Sequence, residues 1–240
     1  MACRLVSLSW DALDPLRLAQ FWGTLLDWPV TVLDNGAVGF WARDDTGFMI
    51  RFAPTDRVKV GKNRVHLDLT SDSLAGQAER VSLALSLGAS HLDVGQLPEE
   101  PHVVLADPEG NEFCVIEPGN SFLADCGLIG ALAGDGSQAV GYFWRAALGW
   151  PLVWDQDEET AIRSPAGGPK LTWGGPPYEP KTGKNRLHFD IAPLAGGDQQ
   201  TEVERLLALG ATHIDIGQSD VPWVVLADPD GNEFCLLEPQ

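Results

Sequence analysis

The chain has 240 residues, of which 34 are acidic and 16 are basic, so its formal net charge at pH 7 is −18. This acidity argues against nucleic acids and anionic membranes as partners, because both require basic protein surface. An apolar fraction of 44% is ordinary for a globular protein, and the excess of carboxylates favours either solubility or attraction of a cationic small molecule or metal ion.

Targeting signals and paired-cysteine motifs are both missing from the sequence. The opening run, MACRLVSLSWD, lacks the features of a secretory signal, and no apolar stretch is long enough to span a membrane, so we expect a cytoplasmic protein. The four cysteines, Cys3, Cys114, Cys126 and Cys235, form no CxxC pair. Cys114 and Cys235 lie in apolar strands, and we interpret both as small buried hydrophobic residues.

The first sixty residues predict a strand, a helix and three further strands. Residues 4–10 alternate in polarity, which indicates a strand. Asp14 and Pro15 then supply an N-cap and a first helical residue for a helix over 15–27. Three short strands follow at 29–34, 38–43 and 47–53, with turns at Asn35-Gly36 and at 44–47.

The same order of elements then recurs along the chain. Residues 64–70 predict a strand and residues 73–87 a helix that ends at Gly88, a residue suited to the left-handed conformation. Strands are predicted next over 89–94, 102–106 and 112–117, and later helices over 137–148 and 198–209. The whole chain is therefore predicted to be α+β and to contain four β-α-β-β-β modules.

A long internal duplication accounts for this recurrence. Residues 103–118, VVLADPEGNEFCVIEP, return at 224–239 as VVLADPDGNEFCLLEP with three conservative differences. Matching runs, GKNRVHLDL and GKNRLHFDI, precede the two copies. The repeat predicts two domains, 1–120 and 125–240, each built of two modules. The joining segment is too short for a flexible tether, so we expect the domains to pack together.

Paired modules with these sequence motifs resemble the vicinal oxygen chelate superfamily. This superfamily includes glyoxalase I, extradiol dioxygenases, fosfomycin-resistance enzymes and bleomycin-binding proteins. The resemblance rests on DPLRLAQFWGTLLDW, GKNRVHLDL, LGASHLDVG and LADPEGNEFCVIEP, each with a partner in the second half. It implies two tandem vicinal-oxygen-chelate domains, in each of which two modules form a cupped mixed sheet around the site. It is more specific for fold than for activity, since one fold hosts many functions.

The resemblance also implies where a metal would bind. Metal-binding members take ligands from the first and last strands of each module. His66 and Glu117 match those positions in the second module, and His188 and Glu238 match them in the fourth. These ligand types suit Zn²⁺, Fe²⁺, Ni²⁺ or Mn²⁺. Because side chains alternate along a strand, Asp68 and Asp190 are predicted to share the faces of the two histidines.

The first and third modules lack matching ligands. Their first strands contain no histidine, and their last strands, near 49–52 and 171–174, contain no carboxylate. Each cup therefore offers two ligands, whereas a catalytic metal normally has about three from the protein. Two alternatives stay open for each His–Glu pair: a buried hydrogen-bonded remnant of a metal site, or a metal-free base oriented by the glutamate.

Tryptophans distinguish the two halves of the chain. Those that recur, Trp22 with Trp144 and Trp28 with Trp150, are predicted to belong to the core. Those that do not recur indicate an apolar cup for a flat or cationic molecule, although ordinary core filling is the alternative for each one. The ligand-binding residues predicted on this basis are Trp10, Trp41, Trp154 and Trp173 with the polar Ser7, Ser9, Asp68 and Asp190. Ser7 and Ser9 make the first domain the better candidate for polar chemistry.

Other repeated residues predict structure rather than chemistry. Lys-Asn-Arg at 62–64 and 184–186 is interpreted as a link between modules whose cations pair with local carboxylates. Asp-Pro-Glu/Asp-Gly-Asn is interpreted as a hairpin turn, because its oxygens lack the spacing of a calcium loop. His91 and His213 are interpreted as structural residues at strand edges.

Two functional hypotheses follow. The first is a non-catalytic protein that binds a small molecule, cationic or aromatic, as bleomycin-resistance proteins do. The second is a metal-dependent lyase or dioxygenase that uses His66 with Glu117, His188 with Glu238, or both. The sequence establishes no cofactor, a divalent metal is the candidate, and we expect a monomer or a weak homodimer.

Overall fold

The computed structural model describes residues 2–33, 36–43, 46–218 and 220–239. Three residues of the predicted turns, Asn35, Asp44 and Asp45, lie outside these ranges, as does Asp34 at the end of a predicted strand. The described residues fold into four β-α-β-β-β modules, which confirms the predicted α+β architecture.

The first half of the chain contains modules 1 and 2. Module 1 consists of β1 (Cys3–Ala12), α1 (Pro15–Leu26), β2 (Thr31–Val32), β3 (Val38–Trp41) and β4 (Met49–Pro54). Module 2 consists of β5 (Val65–Leu69), α2 (Leu74–Ser86), β6 (Ser90–His91), β7 (Val103–Ala106) and β8 (Glu112–Val115). The last strand of module 2 therefore ends before Glu117.

The second half contains modules 3 and 4 in the same order. Module 3 consists of β9 (Ile129–Gly134), α3 (Gln138–Leu148), β10 (Leu152–Gln156), β11 (Glu159–Ser164) and β12 (Gly167–Trp173). Module 4 consists of β13 (Leu187–Pro193), α4 (Gln199–Ala208), β14 (Thr212–His213), β15 (Val224–Ala227) and β16 (Glu233–Leu236). His91 and His213 lie on edge strands, as predicted, and both side chains are exposed.

Two eight-stranded mixed sheets join modules from opposite halves of the chain. One sheet has the order β14-β15-β16-β13-β1-β4-β3-β2 and the other β10-β11-β12-β9-β5-β8-β7-β6. Module 1 therefore pairs with module 4, and module 2 with module 3. The expectation that consecutive modules share a cup is wrong on this point, because the antiparallel seams join β1 to β13 and β5 to β9. Each sheet consequently depends on both halves of the chain.

Strand register shows which side chains share a face of each sheet. In the first sheet Ser9 lies opposite both His188 and Arg51, and Ser7 lies opposite Asp190. We call this face cup A. In the second sheet Ala133 lies opposite both His66 and Thr172, and Ala131 lies opposite Asp68. We call that face cup B.

The other face of each sheet packs on helices through aromatic side chains. Asp14 caps α1 by accepting a hydrogen bond from the backbone of Arg17, as predicted. The helix buries Trp22, whose ring centroid lies 5.2 Å from that of Trp10 and 4.9 Å from that of Phe113. In the second half Trp144 lies 5.1 Å from Phe234 in the corresponding way. The recurring Trp22 and Trp144 are thus core residues, as predicted.

The repeated Asp-Pro-Glu/Asp-Gly-Asn motif forms hairpin turns. Asp107 accepts hydrogen bonds from the backbone N–H groups of Glu109 and Asn111, and its backbone N–H donates to the Asn111 carbonyl. This confirms the prediction of turn chemistry. The Glu109 carboxylate also accepts the backbone N–H groups of Leu13 and Asp14 at 2.9 and 2.8 Å, so the turn of module 2 holds the start of α1 in module 1.

The cations of the Lys-Asn-Arg segments pair with carboxylates, but the partners come from other modules. Lys62 pairs with Glu179 at 2.8 Å and Arg64 with Asp135 at 3.3 Å. Lys184 pairs with Asp11, and Arg186 with Glu109. These ion pairs tie the two halves of the chain together, in agreement with the expectation that the halves pack on each other.

Among the described residues, no helix is long and apolar enough to cross a bilayer.

Candidate functional site

Cup B contains a cluster of three potential metal ligands. Strand alternation places His66 and Asp68 on one face of β5, and the His66 Nε2 atom lies 3.3 Å from an Asp68 carboxylate oxygen. Parallel pairing with β8 sets Cys114 opposite Asp68. One ligand atom from each of the three residues lies within 4.8 Å of the others.

Cup A contains the equivalent cluster of His188, Asp190 and Cys235, whose ligand atoms are equally close together. The His188 Nε2 atom lies 3.5 Å from Asp190. Ser7 and Ser9 both donate hydrogen bonds to the other Asp190 oxygen, at 2.6 and 2.5 Å. Because module 1 pairs with module 4, Ser7 and Ser9 of the first half bond to the aspartate that contacts His188 in the second half.

Hydrogen bonding sets the charge state of the cup B cluster. Burial disfavours the imidazolium, but hydrogen bonds with Asp68 and Cys114 raise the pKa of His66 well above its usual value. Burial raises the pKa of the Cys114 thiol, and the neighbouring His66 opposes this only in part. The hydrogen bonds therefore favour the imidazolium form of His66, and burial favours the neutral form of the Cys114 thiol.

Cup A holds a carboxylate whose ionised form is favoured by hydrogen bonds. Burial would raise the pKa of Asp190, but hydrogen bonds from His188, Ser7 and Ser9 lower it below its usual value. Burial and the Asp190 charge raise the pKa of the Cys235 thiol, whereas the positive charges of Lys184 and Arg51 oppose the rise. Two cations thus lie close enough to the cup A cluster to act on it.

The predicted glutamate ligands lie outside both clusters. Glu117 follows the end of β8, and its carboxylate accepts a hydrogen bond from Asn120 at 2.9 Å. Glu238 follows the end of β16 and is exposed. The structure therefore brings each predicted histidine together with its predicted aspartate and with a cysteine, but it does not add Glu117 or Glu238 to the group.

The cysteines are the residues that sequence reasoning missed. Cys235 is buried, as predicted, and Cys114 is partly buried, but the prediction did not include that both thiols face a histidine and an aspartate. Their recurrence at the same place in both halves was the available signal. A cysteine on the strand next to the His-x-Asp strand is a ligand candidate, because a thiolate is an established metal ligand.

Two of the four predicted cup tryptophans are core residues instead. Trp10 is fully buried and stacks on Phe52 at 5.4 Å, because strand alternation turns it away from Ser9. Trp173 is also buried, at 3% exposure, in the main hydrophobic core. Trp41 is 55% exposed and lies opposite Met49, in the row of cup A that includes Ser7.

Trp154 remains in cup B, where the segment between the two halves reaches it. It lies opposite Ala161, which lies opposite Thr172. Phe122 contacts the Trp154 ring edge to face at 5.4 Å, and Leu123 packs with Ala131. The Trp154 Nε1 atom is buried and has no hydrogen-bond partner in the described parts of the chain. The joining segment therefore forms part of the wall of cup B.

An open cavity adjoins this wall. Its volume is about 260 Å³, and its lining includes Thr70, Asp72, Glu117, Asn120 and Cys126. This volume is slightly below the range of about 300–1,000 Å³ that is typical of ligand pockets. Glu117 thus lines a pocket beside cup B, although it does not join the His66 cluster.

The cup B donors fit a divalent metal ion. Imidazole, carboxylate and thiolate are all established ligands, and three of them with an open fourth position make a typical catalytic zinc set. Ligand atoms within 4.8 Å of one another can surround one ion after small side-chain movements.

Solved structures share this architecture at low sequence identity. Glyoxalase I from Zea mays matches with a TM-score of 0.67 and 15% identity, over 99% of this chain and 92% of that one. A candidate dioxygenase from Bacillus subtilis subsp. subtilis str. 168 matches with a TM-score of 0.63 and 12% identity, over 98% of this chain and 84% of that one. At such identities the likeness establishes the fold and no activity.

Sequence comparison identifies the family. No curated protein matches the chain. The family profile for the glyoxalase-like domain matches twice, over residues 7–116 and 131–237. These matches cover most of the chain and agree with the four modules, the two cupped sheets and the resemblance seen in the sequence. The chain therefore belongs to the glyoxalase-like domain family and carries its domain twice.

Proposed function

We propose that the protein is a divalent-metal-dependent enzyme of the glyoxalase superfamily that acts on a small organic substrate in cup B. The observation that supports this most strongly is the compact cluster of His66, Asp68 and Cys114. His66, Asp68 and Cys114 would together supply three protein ligands, the number that a catalytic metal normally has. A bound metal would supply a Lewis acid that polarises a substrate oxygen, which suits lyase or dioxygenase chemistry.

Cup B is the better metal site because fewer cations act on it. The charges that affect the Cys114 thiol are those of His66 and Asp68, whereas Cys235 also feels Lys184 and Arg51. Thr172 occupies the place in cup B that Arg51 occupies in cup A, opposite the central residue of the seam. A guanidinium repels a divalent cation, so the two clusters differ in metal affinity despite their identical ligand types.

The ligand types also rank the candidate ions. A cysteine thiolate is a soft ligand and favours Zn²⁺ or Fe²⁺ over ions that prefer oxygen, such as Mn²⁺. We therefore place Zn²⁺ and Fe²⁺ first, Ni²⁺ next and Mn²⁺ last. Asp68 is the third ligand in this proposal, and without a metal its contact with Nε2 fixes the orientation of the His66 ring.

Metal analysis of single-site variants tests this proposal. Protein purified without a chelator is incubated with each ion and analysed for bound metal, and a cobalt-loaded sample is examined for the thiolate-to-cobalt absorption band. We expect close to one tightly bound equivalent that His66→Ala and Cys114→Ser remove. His188→Ala, Cys235→Ser and the exposed His91→Ala serve as matched controls and should retain it. Absence of tight metal, or metal that survives both cup B substitutions, contradicts the proposal.

A non-catalytic binding protein is the second candidate, and one observation favours it. Trp154 and Phe122 form an aromatic wall in cup B, and the buried Trp154 Nε1 donor lacks a partner in the described chain. A flat molecule with an acceptor atom would satisfy both features. Titration of metal-free protein with a panel of aromatic and cationic compounds should then quench fluorescence in the wild type. Quenching that persists in Trp154→Phe, or no quenching by any compound, contradicts this candidate.

A further inference from the structure

An arginine lies in the row of side chains that forms cup A. Arg51 is on β4, opposite Ser9, which in turn lies opposite His188 across the seam. The neighbours of Arg51 on the strand, Ile50 and Phe52, are buried, and Phe52 stacks on Trp10 on the side of the sheet that faces the helices. Alternation therefore sets the partly buried Arg51 on the cup face.

No group among the described residues satisfies the Arg51 guanidinium. It takes part in no hydrogen bond or ion pair with them, although the chain carries 34 carboxylates and only 16 cationic side chains. Arg64 and Arg186, by contrast, are each paired with a carboxylate. A partly desolvated guanidinium without a partner forfeits solvation and gains no hydrogen bond in return. Its planar fork matches a carboxylate, so an anion from outside the chain would explain its position.

His188 supplies a second unsatisfied group in the same row. Its Nε2 atom faces Asp190, while its Nδ1 atom is buried and has no hydrogen-bond partner among the described residues. With Nε2 directed at Asp190, the Nδ1 atom is left for a hydrogen bond with a group from outside the chain. A hydroxyl suits this position, because it can either donate or accept a hydrogen bond. Ser7 and Ser9 bind Asp190 and so fix the carboxylate that orients the His188 ring.

We propose that cup A is a metal-independent binding site for a small 2-hydroxy carboxylate. The carboxylate binds the Arg51 guanidinium, and the adjacent hydroxyl forms a hydrogen bond with His188 Nδ1. Lys184 adds positive charge near the site, although it is paired with Asp11. In cup B the position of Arg51 is taken by the uncharged Thr172, so the same ligand has no anchor there. This site is separate from the metal centre proposed for cup B, and either proposal can fail alone.

Calorimetric titration of chelator-treated protein tests the site. The probes are glycolate and D- and L-lactate, with lactamide as a neutral analogue of the same shape. We expect at least one of the acids to bind, lactamide to bind at least ten-fold more weakly, and Arg51→Gln to weaken the acid at least ten-fold. Arg51→Lys should retain part of the affinity, because it keeps the charge and loses the fork. Thr172→Val in cup B is the matched control and should bind like the wild type.

The outcomes separate the site from its alternatives. Equal binding of the acid by Arg51→Gln and the wild type, equal binding of lactamide and lactate, or binding of none of the acids by the wild type overturns the proposal. Thermal melting of each variant shows that it is folded before the affinities are compared. Metal content of Arg51→Gln should match that of the wild type, because the metal is assigned to the other cup.

Discussion

Cups A and B carry the same His–Asp–Cys cluster on walls of different chemistry. In cup A the strand across the seam presents Ser7 and Ser9, which bond to Asp190. In cup B the corresponding strand presents Ala131 and Ala133, and Asp68 has no hydroxyl donors from that strand. Arg51 in cup A is replaced by Thr172 in cup B.

This difference shows that two of the four modules stayed alike after the duplication, whereas the other two changed. Modules 2 and 4 supply the clusters and are nearly identical in sequence over their last strands. Modules 1 and 3 supply the opposing walls and have diverged. Because each sheet pairs one module of each kind across the two halves, every cup combines a conserved cluster with its own wall. The two cups can therefore bind different ligands although they share the same His–Asp–Cys cluster.

Although the cups differ, the cores between the sheets and the helices are alike in the two halves. Substitutions in these cores should have the largest effect on stability. Trp22→Ala and Trp144→Ala each remove a buried ring that packs on several aromatic neighbours. We expect each to lower the free energy of unfolding by about 4 kcal/mol, since large cavities are left behind. Urea unfolding followed by circular dichroism measures both. Losses that differ by more than about 2 kcal/mol between the two variants would show that the cores have diverged as well.

The serine donors of cup A should matter more than the alanines of cup B. Ser9→Ala removes a hydrogen bond to the buried, charged Asp190, and we expect a loss of about 2 kcal/mol of unfolding free energy. The reciprocal change, Ala133→Ser, adds a hydroxyl in reach of His66 and should change stability by less than about 1 kcal/mol. Urea unfolding at pH 7 compares the two. An unfolding free energy that Ser9→Ala leaves unchanged would mean that the hydrogen bond from Ser9 does not stabilise the buried Asp190 carboxylate.

The hairpin carboxylates should give the smallest effect, a shallow dependence of stability on pH. Burial raises the pKa of Asp107 to about 6 despite hydrogen bonds from Asn111, Glu109 and Trp22. A folded-state pKa above the unfolded value means that the folded protein binds the extra proton, so this group stabilises the fold as pH falls. We expect a gain of about 1 kcal/mol between pH 6.5 and pH 5 from this residue.

Comparison with Asp107→Asn isolates that contribution. The variant lacks the titrating group, so its unfolding free energy should rise by about 1 kcal/mol less than that of the wild type over the same pH interval. Asp228, whose pKa burial also raises, provides the matched position in the second half. Identical pH profiles for the wild type and Asp107→Asn would contradict the assignment.

Much of the fold could be predicted from the sequence because local patterns determined it. The duplication fixed four modules, Asp14 and Pro15 fixed the start of α1, and the Asp-Pro-Glu/Asp-Gly-Asn motif fixed the hairpins. Each of these is a contact between residues near in sequence, so the residues themselves carry the information. The proximity of His66 to Asp68 followed in the same way from strand alternation.

The site needed the tertiary structure because its members are distant in sequence. Alternation placed Cys114 on one face of its strand, but only the pairing of β8 with β5 set it against Asp68. Likewise, only the pairing of module 1 with module 4 brought Ser7, Ser9 and Arg51 to His188. Many partners can satisfy the backbone hydrogen bonds of a strand, so its sequence does not specify its neighbour. The sequence by itself determined the modules and the residues within each cluster's strand, and the packing of whole modules decided which wall each cluster faces.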